Sequence, residues 1–157
     1  MANTDPDGSK LNMTSHPGPF SSDHGYAALF DMEVLTGFRF ADGVDVKSCW
    51  LKVDIGHEKT VIGNTMFFGL AEHIKSYLAT YKMSRSLGGL NSNNFTYWVD
   101  PISGTTVFTG IKRWYEKSAT AWVEPHRART VKFEPQIYEA YNCFRFSIMF
   151  CNGMSVF

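Results

Sequence analysis

Four titratable or charged side chains fall within six residues: Asp54, His57, Glu58 and Lys59, with Thr60 directly after them. A histidine beside a carboxylate is a pair that general acid–base catalysis uses. At the start of a helix the same pair would meet an anionic group, because the backbone N–H groups there lack partners. A solvated turn has the same composition. The cluster therefore indicates either a catalytic or ligand pocket near His57 and Glu58, or a surface loop.

A second candidate surface combines basic and aromatic residues between positions 112 and 132. Aromatic rings stack on the bases of a single-stranded nucleic acid, and Lys and Arg side chains contact its phosphates. The formal charge of the chain is zero, and Glu116, Glu124 and Glu134 interrupt the patch, whereas nucleic-acid-binding domains are usually basic. Nucleic-acid binding is therefore an alternative that the sequence does not favour. Its residues would be Lys112, Arg113, Trp114, Trp122, Arg127, Arg129 and Lys132.

Metal and cofactor sites have no supporting motif in the sequence. The five histidines include no pair with the spacing of a zinc site. Cys49, Cys143 and Cys151 lie in alternating apolar segments, so buried free thiols are expected. The sequence contains neither a Gly-x-Ser-x-Gly elbow nor a phosphate-binding glycine loop. We expect no metal and no cofactor, and the balance is against an enzyme.

The first 25 residues are rich in Asn, Ser, Thr, Asp, Gly and Pro. An isolated segment of this kind buries too little apolar surface to offset an ordering cost of ~1–2 kcal/mol per residue. An ordered arm over residues 1–25 needs a surface to hold it, either its own domain or a neighbouring subunit. Its prolines favour an extended chain. The anchors of an assembly arm would be Leu11, Met13, Pro17, Pro19 and Phe20.

The remaining residues, 26–157, are long enough for a single globular domain. Most of this region alternates in the manner of strands. In the segment from about 65 to 84, apolar residues instead recur at helical spacing. We therefore predict an α+β fold, with a curved antiparallel sheet or open β-barrel of about seven strands packed on one amphipathic helix. The apolar stripe of that helix would contain Phe67, Leu70, Ala71, Ile74, Tyr77, Leu78 and Tyr81.

The stretch Gly56-His57-Glu58-Lys59-Thr60-Val61-Ile62-Gly63-Asn64, running into Met66-Phe67-Phe68, resembles the entry into the central helix of hot-dog-fold acyl thioesterases. The resemblance covers residues 50 to 84. It implies a thioester pocket lined by Glu58, Asn64 and the start of the helix. A hot-dog domain needs several long strands after that helix, whereas prolines interrupt this part of the chain.

An aromatic fraction of 15%, with 13 Phe, indicates a core or an interface rich in large flat side chains. Together with the arm, this composition favours a non-enzymatic self-assembling structural protein, such as a viral or phage subunit or an intracellular inclusion protein, whose partner is itself. The alternatives are a small enzyme or ligand-binding protein at His57 and Glu58, and a single-stranded nucleic-acid-binding module. The sequence has no signal peptide and no apolar stretch that could span a bilayer, so we expect a soluble intracellular protein without membrane contact.

Overall fold

A computed structural model describes residues 11–29 and 37–151. In this part of the chain there are eight β-strands and two short 3₁₀ helices, Tyr26–Leu29 and Val46–Ser48. The strands are β1 (Asn12–His16), β2 (Phe38–Arg39), β3 (Trp50–Ala71), β4 (Ile74–Ser86), β5 (Thr96–Tyr97), β6 (Val107–Thr109), β7 (Ser118–Glu139) and β8 (Cys143–Cys151).

The strands form one antiparallel hydrogen-bonded network in the order β2-β8-β3-β7-β4-β5, with β1 on β3 and β6 on β4. The two 22-residue strands, β3 and β7, change neighbours midway. The first part of β3 pairs with β1 and its second part with β8. The register between β3 and β7 breaks between Asp54 and Lys59, where Gly56 has a φ of 91°. Extra residues in one strand bend it, so β3 passes from one layer of the fold to a second.

The core lies between these two layers and is largely aromatic. Phe133 of β7 packs on Phe146 of β8 with ring centroids 4.2 Å apart. Leu51, Val53 and Ile55 alternate along β3 and are all completely buried, as the alternation in the sequence predicts. Facing apolar sides of strands interdigitate in this way in two-layer β folds.

The predicted helix over 65–84 is wrong. These residues form the end of β3 and most of β4, which pair from Gly69↔Ser76 to Ala71↔Ile74 around a turn at Glu72 and His73. Aromatic and β-branched side chains favour strands, and tertiary pairing overrides a short-range helical period. The described residues are nearly all-β, so the predicted α+β class is corrected as well.

Two further features concern the segments before β3. The Asp42-Gly43 dipeptide is typical of two-residue hairpins, but it joins no pair of adjacent strands here, because β2 pairs with β8 rather than with β3. Part of the predicted arm lies on its own chain: β1 runs beside β3 from Asn12↔Asp54 to His16↔Trp50. Its side chains Leu11 and Met13 pack against the core. Over the described ranges, no helix has the length and apolar character needed to cross a membrane.

Candidate functional site

Four side chains converge around Arg39 of β2. Its side chain is only 4% exposed, and the guanidinium lies between the rings of Phe20 and Tyr141, 3.8 Å and 4.2 Å from their centroids. Nη1 donates to Glu72 Oε1 at 3.2 Å, and Nη2 donates to both carboxylate oxygens of Asp42 at 3.1 Å. We call Phe20, Arg39, Asp42, Glu72 and Tyr141 the Arg39 cluster. A guanidinium held on both faces and at two of its nitrogens has little freedom to move.

The pairing of β2 with β8 brings these distant segments together. Arg39 lies opposite Cys143, which places it close to Tyr141 just before β8. The Phe20 backbone N–H donates to the Arg39 carbonyl oxygen at 2.8 Å, which holds Phe20 beside the same strand. Glu72 comes from the β3–β4 turn, where its φ is 53°. A non-glycine residue in this left-handed region is strained by about 1 kcal/mol or more, so contacts with its surroundings must hold it there.

The two carboxylates of the cluster face solvent although their orientation is fixed. The side chain of Asp42 is 69% exposed and that of Glu72 is 59% exposed. The Tyr141 hydroxyl donates to Glu72 Oε2 at 2.8 Å. This hydrogen bond, and to a smaller extent the one from Arg39, lowers the pKa of the Glu72 carboxyl, so that the carboxyl stays ionised in mildly acidic solution.

The cluster thus combines fixed acceptors with an apolar surface. Carboxylate oxygens accept hydrogen bonds from ligand O–H or N–H groups, and the Phe20 ring, whose residue is 43% exposed, can cover ligand C–H groups. Arg39 Nε is buried and has no hydrogen-bond partner among the described residues. A buried donor without an acceptor costs stability, so Arg39 is not explained by stability alone.

A second candidate is a cleft of about 740 Å³ at the bend of β3. Its base is the pair formed by Asp54 and Arg129, in which Nε and Nη2 donate to Oδ1 and Oδ2 at 3.1 Å. Its walls are β1 and the loop after β4. We call it the Asp54 cleft; it is lined by Asn12, Met13, Asp54, Gly88, Gly89, Leu90, Asn91, Ser92 and Arg129.

Most polar groups of the Asp54 cleft already have partners within the chain. Thr130 Oγ1 donates to the Gly88 carbonyl oxygen at 2.7 Å. Lys52 Nζ donates to the carbonyl oxygens of Leu90 and Ser92 at 3.2 Å and 3.3 Å. These bonds hold the loop on the sheet, and they leave fewer groups for a ligand than the cleft's polar composition suggests.

The structure does not gather the predicted catalytic residues into one pocket. His57 and Glu58 are exposed at the bend of β3, where Glu58 Oε2 pairs with Arg127 Nη2 at 2.8 Å. Asn64 is completely buried and accepts a hydrogen bond from Tyr81, so it lines no thioester pocket. Within the described ranges, no group of three His, Cys, Asp or Glu side chains is arranged to hold a metal ion.

The predicted basic and aromatic surface is divided over several places. Lys112, Arg113 and Trp114 lie in the loop before β7, and Trp122 is exposed on β7 itself. Three further bases pair with acids: Arg127 with Glu58, Arg129 with Asp54, and Lys132 with Glu134 at 3.4 Å. Of the predicted arm anchors, Pro19 bridges to Phe40 and Phe20 joins the Arg39 cluster, while Pro17 is half-buried.

No protein-family model and no curated protein matches the chain. Solved structures do match its fold. Chitosan-binding module 2 in complex with chitotriose, from a chitosanase/glucanase of Paenibacillus sp. IK-5, has a TM-score of 0.64 and 16% identity over 87% of this chain and 94% of that one. Discoidin II of Dictyostelium discoideum has a TM-score of 0.67 and 16% identity, over 89% and 55%. The CBM32-1 and CBM32-2 domains of Clostridium perfringens ZmpB give 0.68 and 10%, over 90% and 34%.

The fold resembles that of carbohydrate-binding jelly-roll modules. The chain spans nearly all of the chitosan-binding module, about half of discoidin II and about a third of the ZmpB fragment. At these identities the likeness concerns the fold alone.

This likeness corrects the function predicted from the sequence. A self-assembling viral, phage or inclusion protein does not fit a fold whose solved neighbours include chitosan-binding modules and CBM32 domains. The thioesterase-like pocket at His57 and Glu58 is wrong as well, since the helix that defined it is a pair of strands. The predicted partners, a second copy of the chain or a nucleic acid, are corrected with them.

Proposed function

We propose that this protein is a carbohydrate-binding module that holds a saccharide at the Arg39 cluster without converting it. The observation that carries the proposal is a pair of exposed carboxylates, Asp42 and Glu72, fixed in orientation by one buried arginine between two aromatic rings. The fold supports it, because among its neighbours one module is in complex with chitotriose and the ZmpB domains are in complex with GalNAc.

The chemistry of the cluster suits a sugar ring. A pyranose presents neighbouring hydroxyl groups at its edge and C–H groups on its faces. Ionised carboxylates accept hydrogen bonds that are roughly twice as strong as those between neutral groups. Because Asp42 and Glu72 are already oriented by Arg39, binding costs little further side-chain entropy. Phe20 supplies a ring that can cover the C–H face of the sugar.

The Asp54 cleft is a weaker candidate for the same function. Asp54 has a side chain that is only 7% exposed, and Oδ1 accepts from the Gly56 backbone N–H at 2.8 Å as well as from Arg129. The acceptors of the cleft therefore stabilise the bend and the loop. Asn91 lines the cleft and is exposed, so a substitution of Asn91 tests whether a ligand binds there.

A saccharide array, followed by calorimetry on the saccharides that bind, tests the proposal. Arg39→Met keeps the bulk of the buried side chain and removes the charge that orients Asp42 and Glu72. We expect a loss of affinity of tenfold or more, with the fold retained by circular dichroism. Asn91→Ala in the Asp54 cleft is the control, and its affinity should equal that of the wild type.

Two results would overturn the proposal: the wild type binds no saccharide, or Asn91→Ala abolishes binding while Arg39→Met does not. The expected intracellular location stays a prediction of the sequence, and fractionation of the source cells would test it.

A further inference from the structure

The charges of the Arg39 cluster do not cancel. It holds two carboxylates, Asp42 and Glu72, and one guanidinium, which leaves a net charge of −1 when all three are ionised. Both carboxylates pair with Arg39, and within the described residues Arg39 is the only base in an ion pair with either of them.

The charges are also unevenly exposed. The Arg39 side chain is 4% exposed, whereas Asp42 and Glu72 are 69% and 59% exposed. A ligand therefore meets carboxylate oxygens and aromatic rings, while the positive charge lies beneath them. Of the other titratable side chains, His24 acts electrostatically on Glu72, and His73 follows Glu72 in the turn.

The burial of Arg39 bears on what this side chain does in the cluster. This guanidinium is more than nine-tenths buried, and one of its donors has no acceptor among the described residues. Leaving such a donor unpaired is costly. A buried arginine under these conditions is better explained by the orientation it gives to Asp42 and Glu72.

We infer that the saccharide held by the Arg39 cluster is an amino sugar with a free, protonated amine, which the site prefers over its N-acetylated counterpart. The inference rests on the proposed function of the cluster. An ammonium group has three N–H donors and can bond to both carboxylates at once. It is also attracted by the faces of aromatic rings, here Phe20 and Tyr141. Acetylation removes the charge and two of the donors.

Exposed ion pairs are weak, so the expected preference is moderate. Two exposed carboxylates each acting on one ammonium group give about a two- to thirtyfold difference in affinity between amine and N-acetyl forms. Part of this preference should disappear at high salt, because solvent-exposed charges are screened.

The test compares chitotriose with its fully N-acetylated form, which has the same length and linkage, by calorimetry below the pKa of the sugar amine. We expect the wild type to bind chitotriose about two- to thirtyfold more tightly. Glu72→Gln and Asp42→Asn keep the size of each side chain and remove its charge, so each should lower that ratio. Glu124→Gln is the matched control, since it removes a carboxylate that is 82% exposed on β7. Its ratio should equal that of the wild type.

The outcomes separate this inference from the proposed function. Equal or tighter binding of the N-acetylated form by the wild type overturns the inference, as does an equal effect of Glu124→Gln. If neither chito-oligosaccharide binds but another saccharide of the array does, the inference fails and the proposed function stands. If no saccharide binds, both fail.

Discussion

Tyr81 and Asn64 form a polar pair in the middle of an aromatic core, and the pair allows a sharp test of the fold. Both residues are completely buried, and the Tyr81 hydroxyl donates to Asn64 Oδ1 at 3.0 Å. Asn64 Nδ2 has no hydrogen-bond partner among the described residues. The pair links β4 to β3 across the two layers, so it exists only if these segments are strands that face each other.

The expected change in the free energy of unfolding depends on which polar group each substitution leaves without a hydrogen-bond partner. Tyr81→Phe leaves Asn64 Oδ1 without its donor, and Asn64→Leu leaves the Tyr81 hydroxyl without its acceptor. Each should lower the free energy of unfolding by about 1–3 kcal/mol, the cost of an unsatisfied buried polar group. The double variant removes both partners and the unpaired Nδ2, so its stability should lie close to that of the wild type. The coupling energy then equals the sum of the two single losses, about 2–6 kcal/mol.

Urea unfolding of the four proteins, followed by tryptophan fluorescence, measures this cycle. The reasoning is refuted if the double variant loses the sum of the two single losses to within about 0.5 kcal/mol, which is the additivity expected of independent sites. A helix over 65–84 would give that additive result, because Asn64 would then lie outside the core.

Four further predictions concern other parts of the molecule. Burial raises the pKa of Tyr81 above its ordinary value of 10.0. The stability that the protonated Tyr81 contributes is therefore complete below about pH 10 and is lost as pH rises further. Tyr81→Phe should remove this part of the alkaline unfolding in a pH titration. Asp54→Asn should lower the free energy of unfolding by about 1 kcal/mol, since Arg129 is partly exposed; an unchanged urea midpoint would contradict this. His73→Gly relieves a φ of 64° and should raise stability by about 1 kcal/mol, and calorimetry showing a lower Tm would refute it. Deletion of residues 1–25, the proposed arm, removes β1 and Phe20, so thermal stability and saccharide affinity should both fall; if neither changes, the arm does not contribute to the domain.

The sequence predicts the structure well where apolar and polar residues alternate along a strand. Leu51, Val53 and Ile55 alternate with polar residues, and all three are in the core. The prediction fails for 65–84, where both faces of β3 and β4 carry large apolar side chains and strict alternation is lost. An apolar residue at every third or fourth position is then present by composition alone, and the helical period has no meaning.

The Arg39 cluster could not be predicted from local patterns. Its members come from four segments of the chain, and each looks ordinary in its own segment. Arg39 lies between Phe38 and Phe40, both of which are buried. That placement was the available signal, because a charged residue flanked by core residues on a short strand must either point outward or find partners inside. Tyr141 is placed beside Arg39 by the pairing of β2 with β8, and Glu72 by the pairing of β8 with the end of β3; both pairings are long-range properties of the sheet.

Glu72 explains both the failed prediction and the candidate site. Two-residue turns between strands usually contain Asn-Gly or a similar pair, because both positions require a positive φ. Here the turn is Glu72-His73, so the sequence gives no turn signal and the helical interpretation runs straight through it. A glutamate in that conformation is strained, and the bonds from Arg39 and Tyr141 to its carboxylate help to hold it there. The residue that makes the turn hard to recognise in the sequence, Glu72, therefore also supplies an exposed carboxylate to the Arg39 cluster. The backbone strain at Glu72 is unfavourable for folding, and we expect it to be retained because Glu72 serves binding.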